Sequence, residues 1–193
     1  YKEVELNTTD GVEVEVPAIG TYYVTEIVAP EGYTIDPTTY AVEVTGHTAV
    51  GAMSLAQFKS KDYRTRVELR KVDEEGELLK GAKFELYAVS ADGEQKVTLT
   101  KEAEGVYGYA PDGNIDSFEV GKITILGLPV GNYIFRETDS PDGYMNMGDI
   151  RFTVYAALYD KALEITAENL PYRRGVAVCK ENEDGIRLAG AEF

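Results

Sequence analysis

One cysteine, one histidine and no tryptophan occur in the 193 residues of the sequence. A single cysteine, Cys179, cannot close an internal disulfide, and one histidine cannot build a histidine metal cluster or a relay with that cysteine. No run of about 18 apolar residues is present, so no membrane-spanning helix is expected. No signal peptide is recognisable, and the chain begins at Tyr1 without a methionine, which reads as a portion of something longer. Basic residues are scarce as well. Nineteen Lys and Arg stand against 34 Asp and Glu, a formal net charge of −15. That balance excludes a nucleic-acid backbone and an anionic membrane surface as partners, because both require clustered Lys and Arg. No stretch carries a convincing helical period.

What is present favours strands and turns. There are 14 Tyr, 6 Phe, 19 Gly and 7 Pro beside many Val, Ile and Thr, a composition of short strands punctuated by turns. The acidic residues are spread along the chain, as solvated strand faces and loops require. DEEGE at 73–77 and ENEDG at 181–185 lack the ligand spacing of an EF-hand and offer at most weak calcium binding. No cofactor or metal centre is implied.

Self-comparison organises the chain. GTYYVTEIVAPEGY at 20–33 matches GNYIFRETDSPDGY at 131–144, which places Glu26 and Glu137 at the same position, 111 residues apart (137 − 26). VELRKVDEEGELLKGAKF at 67–84 matches VAVCKENEDGIRLAGAEF at 176–193, with Lys71 and Lys180 separated by 109 (180 − 71). The lysine block precedes the glutamate block within a unit, so the chain is out of frame with its own repeat. Residues 1–65 read as the end of one module, 66–172 as a complete module and 173–193 as the first strands of a third. Short joins, DYRTR and LPYRR, suit an extended rod of tandem β modules.

Alternation predicts strands over 66–73, 82–89, 94–101, 118–126, 132–138, 149–157 and 161–168 of the complete module, with SADGE, APDG and SPDGY as turns. Seven short strands in about 105 residues suggest an all-β, antiparallel sandwich with Greek-key connections. Three polar residues break its pattern. Lys71 shares a face with Val67 and Leu69, Glu137 with Tyr133 and Phe135, and Asn169 with Leu163, Ile165 and Ala167. Burying an amine, an acid and a carboxamide singly would cost several kcal/mol each, so they must meet or lie at the rim. One arrangement is a buried Lys–Glu pair hydrogen-bonded to Asn. The other is covalent: burial disfavours charge and yields a neutral amine beside an acid able to donate a proton. The amine then attacks the carboxamide, ammonia leaves, and a Lys–Asn isopeptide bond remains.

The blocks VELRKVDEEGELLKGAKFELY, GNYIFRETDSPDGY and ITAENLP resemble the opening, acid-bearing and closing strands of the Cna B-type (SpaA-like) domains of Gram-positive surface adhesins and pilins. The resemblance implies tandem transthyretin-like or reversed immunoglobulin-like β-sandwich modules. It also implies an autocatalytic bond with Lys71 as nucleophile, Asn169 as acceptor and Glu137 as the assisting acid. The neighbouring sets are incomplete. Glu26 fits the acid position of the first module, but a shift of 109 from Asn169 lands on Ser60 (169 − 109). Asp62 is an acceptor only if the register slips, Gln57 is a poorer candidate, and no bond is expected there. Lys180 fits the nucleophile position of the last module, whose partners would lie past Phe193.

The function that follows is a structural stalk or pilin-type array on a Gram-positive cell surface, in which a Lys71–Asn169 link lets tension bypass the strands between. Its partners are other modules of the same longer chain or neighbouring subunits. Alternatives are an adhesin module binding a host matrix or glycoprotein ligand, an accessory domain of a secreted enzyme, and a filament subunit whose residues 173–193 complete a neighbour's truncated module. No turnover chemistry is visible. Cys179, opposite Lys180 in alternation, reads as an inert thiol. LPYRR lacks the rest of a sorting signal and reads as a linker. The tyrosines, Tyr22, Tyr23, Tyr33, Tyr133 and Tyr144 among them, read as core and corner packing.

Overall fold

A computed structural model describes residues 2–6, 11–46, 58–173 and 175–192. Strands β1 (Gly20–Val24) and β2 (Tyr40–Val44) pair antiparallel. They are followed by β3 (Arg66–Val72), β4 (Ala82–Ser90), β5 (Gly93–Lys96), β6 (Leu99–Ala103) and β7 (Val106–Tyr109). Then come β8 (Phe118–Val120), β9 (Lys122–Leu126), β10 (Gly131–Asp139), β11 (Asp149–Val154) and β12 (Ala162–Glu168). β3 to β12 form two sheets. One has the order β11-β10-β4-β5 with β8 also on β4, and the other runs β12-β3-β9-β7-β6.

The alternation seen in the sequence is what joins the sheets. Val67 and Leu69 of β3, Ile123 and Ile125 of β9, and Ala167 of β12 meet Phe84 and Leu86 of β4 and Tyr133 and Phe135 of β10 in one buried cluster. Phe135 is the hub, with the rings of Phe84, Phe118 and Phe152 at 6.5, 6.3 and 4.7 Å. Burying each such side chain stabilises the fold by about 1.5–3 kcal/mol.

Several expectations need correction. The run 94–101 is two strands, since β5 stays with β4 while β6 crosses to β7 in the other sheet. Likewise 118–126 breaks at Gly121, whose carbonyl accepts from Lys71 N at 2.8 Å; β8 pairs with β4 and β9 with β3. The third concerns direction. Most pairs are antiparallel, but β12 lies parallel to β3, and β7 parallel to β9. Alternation reports which face a residue occupies and is silent about strand direction, and it runs on through a corner where the chain changes sheets. The strand β7 falls between the predicted strands 94–101 and 118–126, where Gly105 and Gly108 dilute its pattern. β11 ends at Val154, three residues early, where Ala156–Leu158 forms a 3-10 turn.

The segment before β3 docks onto the sandwich through its backbone. Thr65 N donates to Gly32 O, Gly127 N to Thr65 O and Ile35 N to Ala156 O, each at 2.9 Å. Gly32 is required there: its φ is +80°, and a Cβ would stand 2.5 Å from the carbonyl oxygen of Gly127. At the other end no strand is assigned within residues 175–192. A turn is nevertheless built. Asn182 Oδ1 accepts from the amides of Asp184 and Ile186, and Leu188 N donates to Lys180 O. This repeats, 109 residues on, the turn in which Asp73 Oδ1 caps Glu75 and Glu77 and Leu79 N donates to Lys71 O. Asp73 is thereby occupied as a turn cap.

Candidate functional site

Lys71, Glu137 and Asn169 come together inside the sandwich. Lys71 is on the core face of β3, near its end, because Val67 and Leu69 set the parity; Glu137 is on β10 two positions after Phe135. Asn169 directly follows β12. The parallel register sets Ala167 beside Lys71, and Asn169 N donates to Val72 O at 3.0 Å. Lys71 and Asn169 are fully buried and Glu137 is 4% exposed.

Glu137 bridges the other two. Its Oε1 lies 4.0 Å from Lys71 Nζ and accepts from Asn169 Nδ2 at 2.9 Å. Its Oε2 accepts from the Met147 amide at 2.9 Å and the Ser140 hydroxyl at 3.3 Å, and Asn146 Nδ2 holds the Glu137 carbonyl at 3.0 Å. Lys71 Nζ donates to Ala167 O at 3.1 Å. Burial pushes the Lys71 amine below its ordinary range, against the opposing pull of Glu137 and, more weakly, Glu168. Asn169 Oδ1 is buried with no hydrogen-bond partner. An unpaired amide oxygen in such a place costs about 1–3 kcal/mol, so the site keeps its electrophile unsatisfied. Chemically, the arrangement offers a desolvated amine, a carboxyl between amine and carboxamide, and a carboxamide held by its Nδ2.

The other predicted residues are placed differently. Glu26 is half-buried; its Oε2 accepts from the Asp36 amide, as Glu137 accepts from that of Met147, ten residues on in each case (36 − 26, 147 − 137). Asp62 stands beside Glu26 and helps to raise its pKa, and the Asp62 Oδ1 is buried without a hydrogen-bond partner. Ser60 donates to Asp36 Oδ2 at 2.9 Å and does not occupy the acceptor position. Lys180 and Cys179 are exposed. Gln57 lies outside the described residues. The residues that the sequence did not announce are Met147 and Ala167, which act through an amide and a carbonyl, and Asp36. The last had a signal in the tenth position after the repeated glutamate.

Among the described residues no helix is long and apolar enough to cross a membrane. A family model described as SpaA, a prealbumin-like fold domain, matches residues 2–56 and 65–169. Solved structures to which the chain is similar include a streptococcal ancillary pilin at 26% identity and a TM-score of 0.49, covering 81% of this chain and 46% of that one. The minor pilin GBS52 of Streptococcus agalactiae is 22% identical with a TM-score of 0.49, covering 79% and 65%. The C-terminal domain of the shaft pilin SpaA from Lactobacillus rhamnosus GG is 21% identical with a TM-score of 0.40, covering 56% and 98%. The chain thus spans about half of the first of these proteins and about two-thirds of the second. No curated protein matches the chain.

Proposed function

The chain belongs to the family of SpaA prealbumin-like fold domains, and from that premise we propose that it is part of a stalk or pilin-type protein on a Gram-positive cell surface. Its working chemistry is a single self-reaction that joins Lys71 to Asn169. The supporting observation is the placement of Glu137 Oε1, 4.0 Å from the lysine Nζ and 2.9 Å from the asparagine Nδ2, in a site closed to water.

Each group has a role that its surroundings favour. Desolvation holds Lys71 toward the neutral amine, whose lone pair attacks Asn169 Cγ. The Nζ–Cγ bond forms, the Cγ–Nδ2 bond breaks, and one Nζ proton travels through the Glu137 carboxyl to Nδ2, which leaves as ammonia. The Ala167 carbonyl aims the amine, and the Met147 amide and Ser140 hydroxyl fix the carboxyl so that it needs no reorganisation. Asn169 Oδ1, without a donor, is the atom that gains most from a proton carried by Glu137. The partners are neighbouring segments of the same longer chain or adjacent subunits. Nothing turns over after the bond has formed, which suits a structural protein.

Intact-mass measurement of the purified chain tests this. The expected mass is that of the sequence less one ammonia, and E137A is expected to restore the full sequence mass. A full-mass wild-type chain would remove the covalent reading.

A further inference from the structure

We propose that the cavity between the segment before β3 and the sandwich binds an acidic saccharide, a single sugar unit that carries a carboxylate. The site is independent of the bond proposed at Lys71.

The cavity has a volume of about 190 Å³ and is lined by Tyr63, Arg64, Arg66, Leu126, Asp160 and Lys161. Sites for drug-sized ligands run from roughly 300 to 1,000 Å³, so this one has room for a sugar ring and not for an extended chain. Basic residues gather here although the chain as a whole is strongly acidic. Residues 58–66 hold four of its 19 Lys and Arg, namely Lys59, Lys61, Arg64 and Arg66, against one acid, Asp62.

The walls are fixed by contacts within the protein. Arg64 is drawn aside by Glu102, which accepts from both of its terminal nitrogens, at 2.6 and 2.8 Å. A bulge aims Glu102 there, since the register of β6 on β7 shifts between Lys101 and Ala103. The same carboxylate lies across Gly108, where a Cβ would overlap it. Tyr63 is held between Lys61 Nζ, 4.8 Å from its ring centre, and Tyr159, with which it makes an edge-to-face pair at 5.1 Å.

Three charged groups at the cavity stay uncommitted among the described residues. The Arg66 guanidinium makes no hydrogen bond. Its Nε is buried without a partner, and the carboxylate it approaches, Glu68, is 3.9 Å away and shared with Lys122 at 3.2 Å. Neither the Lys161 ammonium nor the Asp160 carboxylate has a hydrogen bond or ion pair. This set discriminates between ligands. A bare anion would meet Arg66 and Lys161 favourably but would be repelled by Asp160. A zwitterion would set its own ammonium among Arg64, Arg66 and Lys161. A uronic acid suits all three groups: its carboxylate pairs with the planar guanidinium of Arg66 beside Lys161, and its hydroxyls donate to Asp160 without adding charge. The apolar face of the ring is left to Tyr63 and Leu126.

Titration of the isotope-labelled chain with glucuronate, followed at the amide resonances of Tyr63 to Arg66 and of Asp160 and Lys161, tests the site. Glucuronate should shift them saturably, with half-saturation at about 1–10 mM for a ligand of its size, and glucose should leave them unmoved over that range. R66Q should weaken binding about tenfold or more. D160N keeps a residue type that tolerates the left-handed backbone there, where φ is +48°. It should weaken glucuronate and strengthen inorganic sulfate, because the hydroxyl acceptor is lost together with the repulsion. An equal response to glucose or to glycine would overturn the proposal. So would glucuronate shifts that survive R66Q, or a D160N chain that binds glucuronate more tightly.

Discussion

The surroundings of Glu137 and of Glu26 share a hydrogen-bond pattern and differ in what covers them. In both, the glutamate accepts from an amide ten residues downstream. Only the first is sealed. Glu137 is 4% exposed beneath β3, whereas Glu26 is half-buried and the hydrophobic residues near it, Tyr23, Val24, Ile27 and Val28, are exposed. The acid-bearing strand and its turn therefore build the frame, and the lysine strand supplies both the nucleophile and the dry surroundings in which it works.

The comparison is broken most severely by removing the proposed Lys71–Asn169 link. Lys71 and Asn169 are 98 residues apart (169 − 71). By analogy with a disulfide closing a loop of that size, K71M should lose about 3–5 kcal/mol of unfolding free energy, read by denaturant melts, while filling most of the volume with apolar atoms. The same lysine in an unlinked chain gives a second test. In N169A the amine is free, and its folded pKa is depressed by burial while the unfolded value is the ordinary 10.5. The unfolded state then binds more protons, so stability rises with pH up to about that value and falls as pH drops below it. Melts at neutral and alkaline pH should show this slope in N169A relative to the parent, whose proposed amide would not titrate; equal slopes would count against that amide or place the amine in solvent.

A third and smaller test contrasts equivalent turn glycines. Gly32 and Gly143 both have positive φ, but a Cβ at Gly32 meets the Gly127 carbonyl at 2.5 Å, and one at Gly143 meets nothing within 4 Å. G143A should cost about 1 kcal/mol of backbone strain, and G32A distinctly more, because the docking of residues 30–35 onto the sandwich must give way. Thermal melts of equal size for the two variants would contradict the contact.

Much of this was legible beforehand, for reasons that can be named. Period-two alternation put Lys71, Glu137 and Asn169 on inward faces, and the repeat aligned Glu26 with Glu137. Burial of the trio follows directly from those patterns. The parallel pairing of β12 with β3 was not legible, since side-chain parity carries no direction. The contact of Ser60 with Asp36 was not legible either, since the offset taken from the lysine blocks says nothing of what a residue before β3 meets. Met147 and Ala167 contribute main-chain groups, and any side chain would serve at such positions.

The parallel pairing carries one more consequence. β3 and β12 lie side by side over seven register pairs and point the same way, from Arg66 to Val72 and from Ala162 to Glu168. A chain drawn at its two ends pulls the start of one strand against the finish of the other. Their ladder is then loaded in shear, every rung at once, and cannot be unzipped rung by rung. The pair resists extension before any covalent bond is counted.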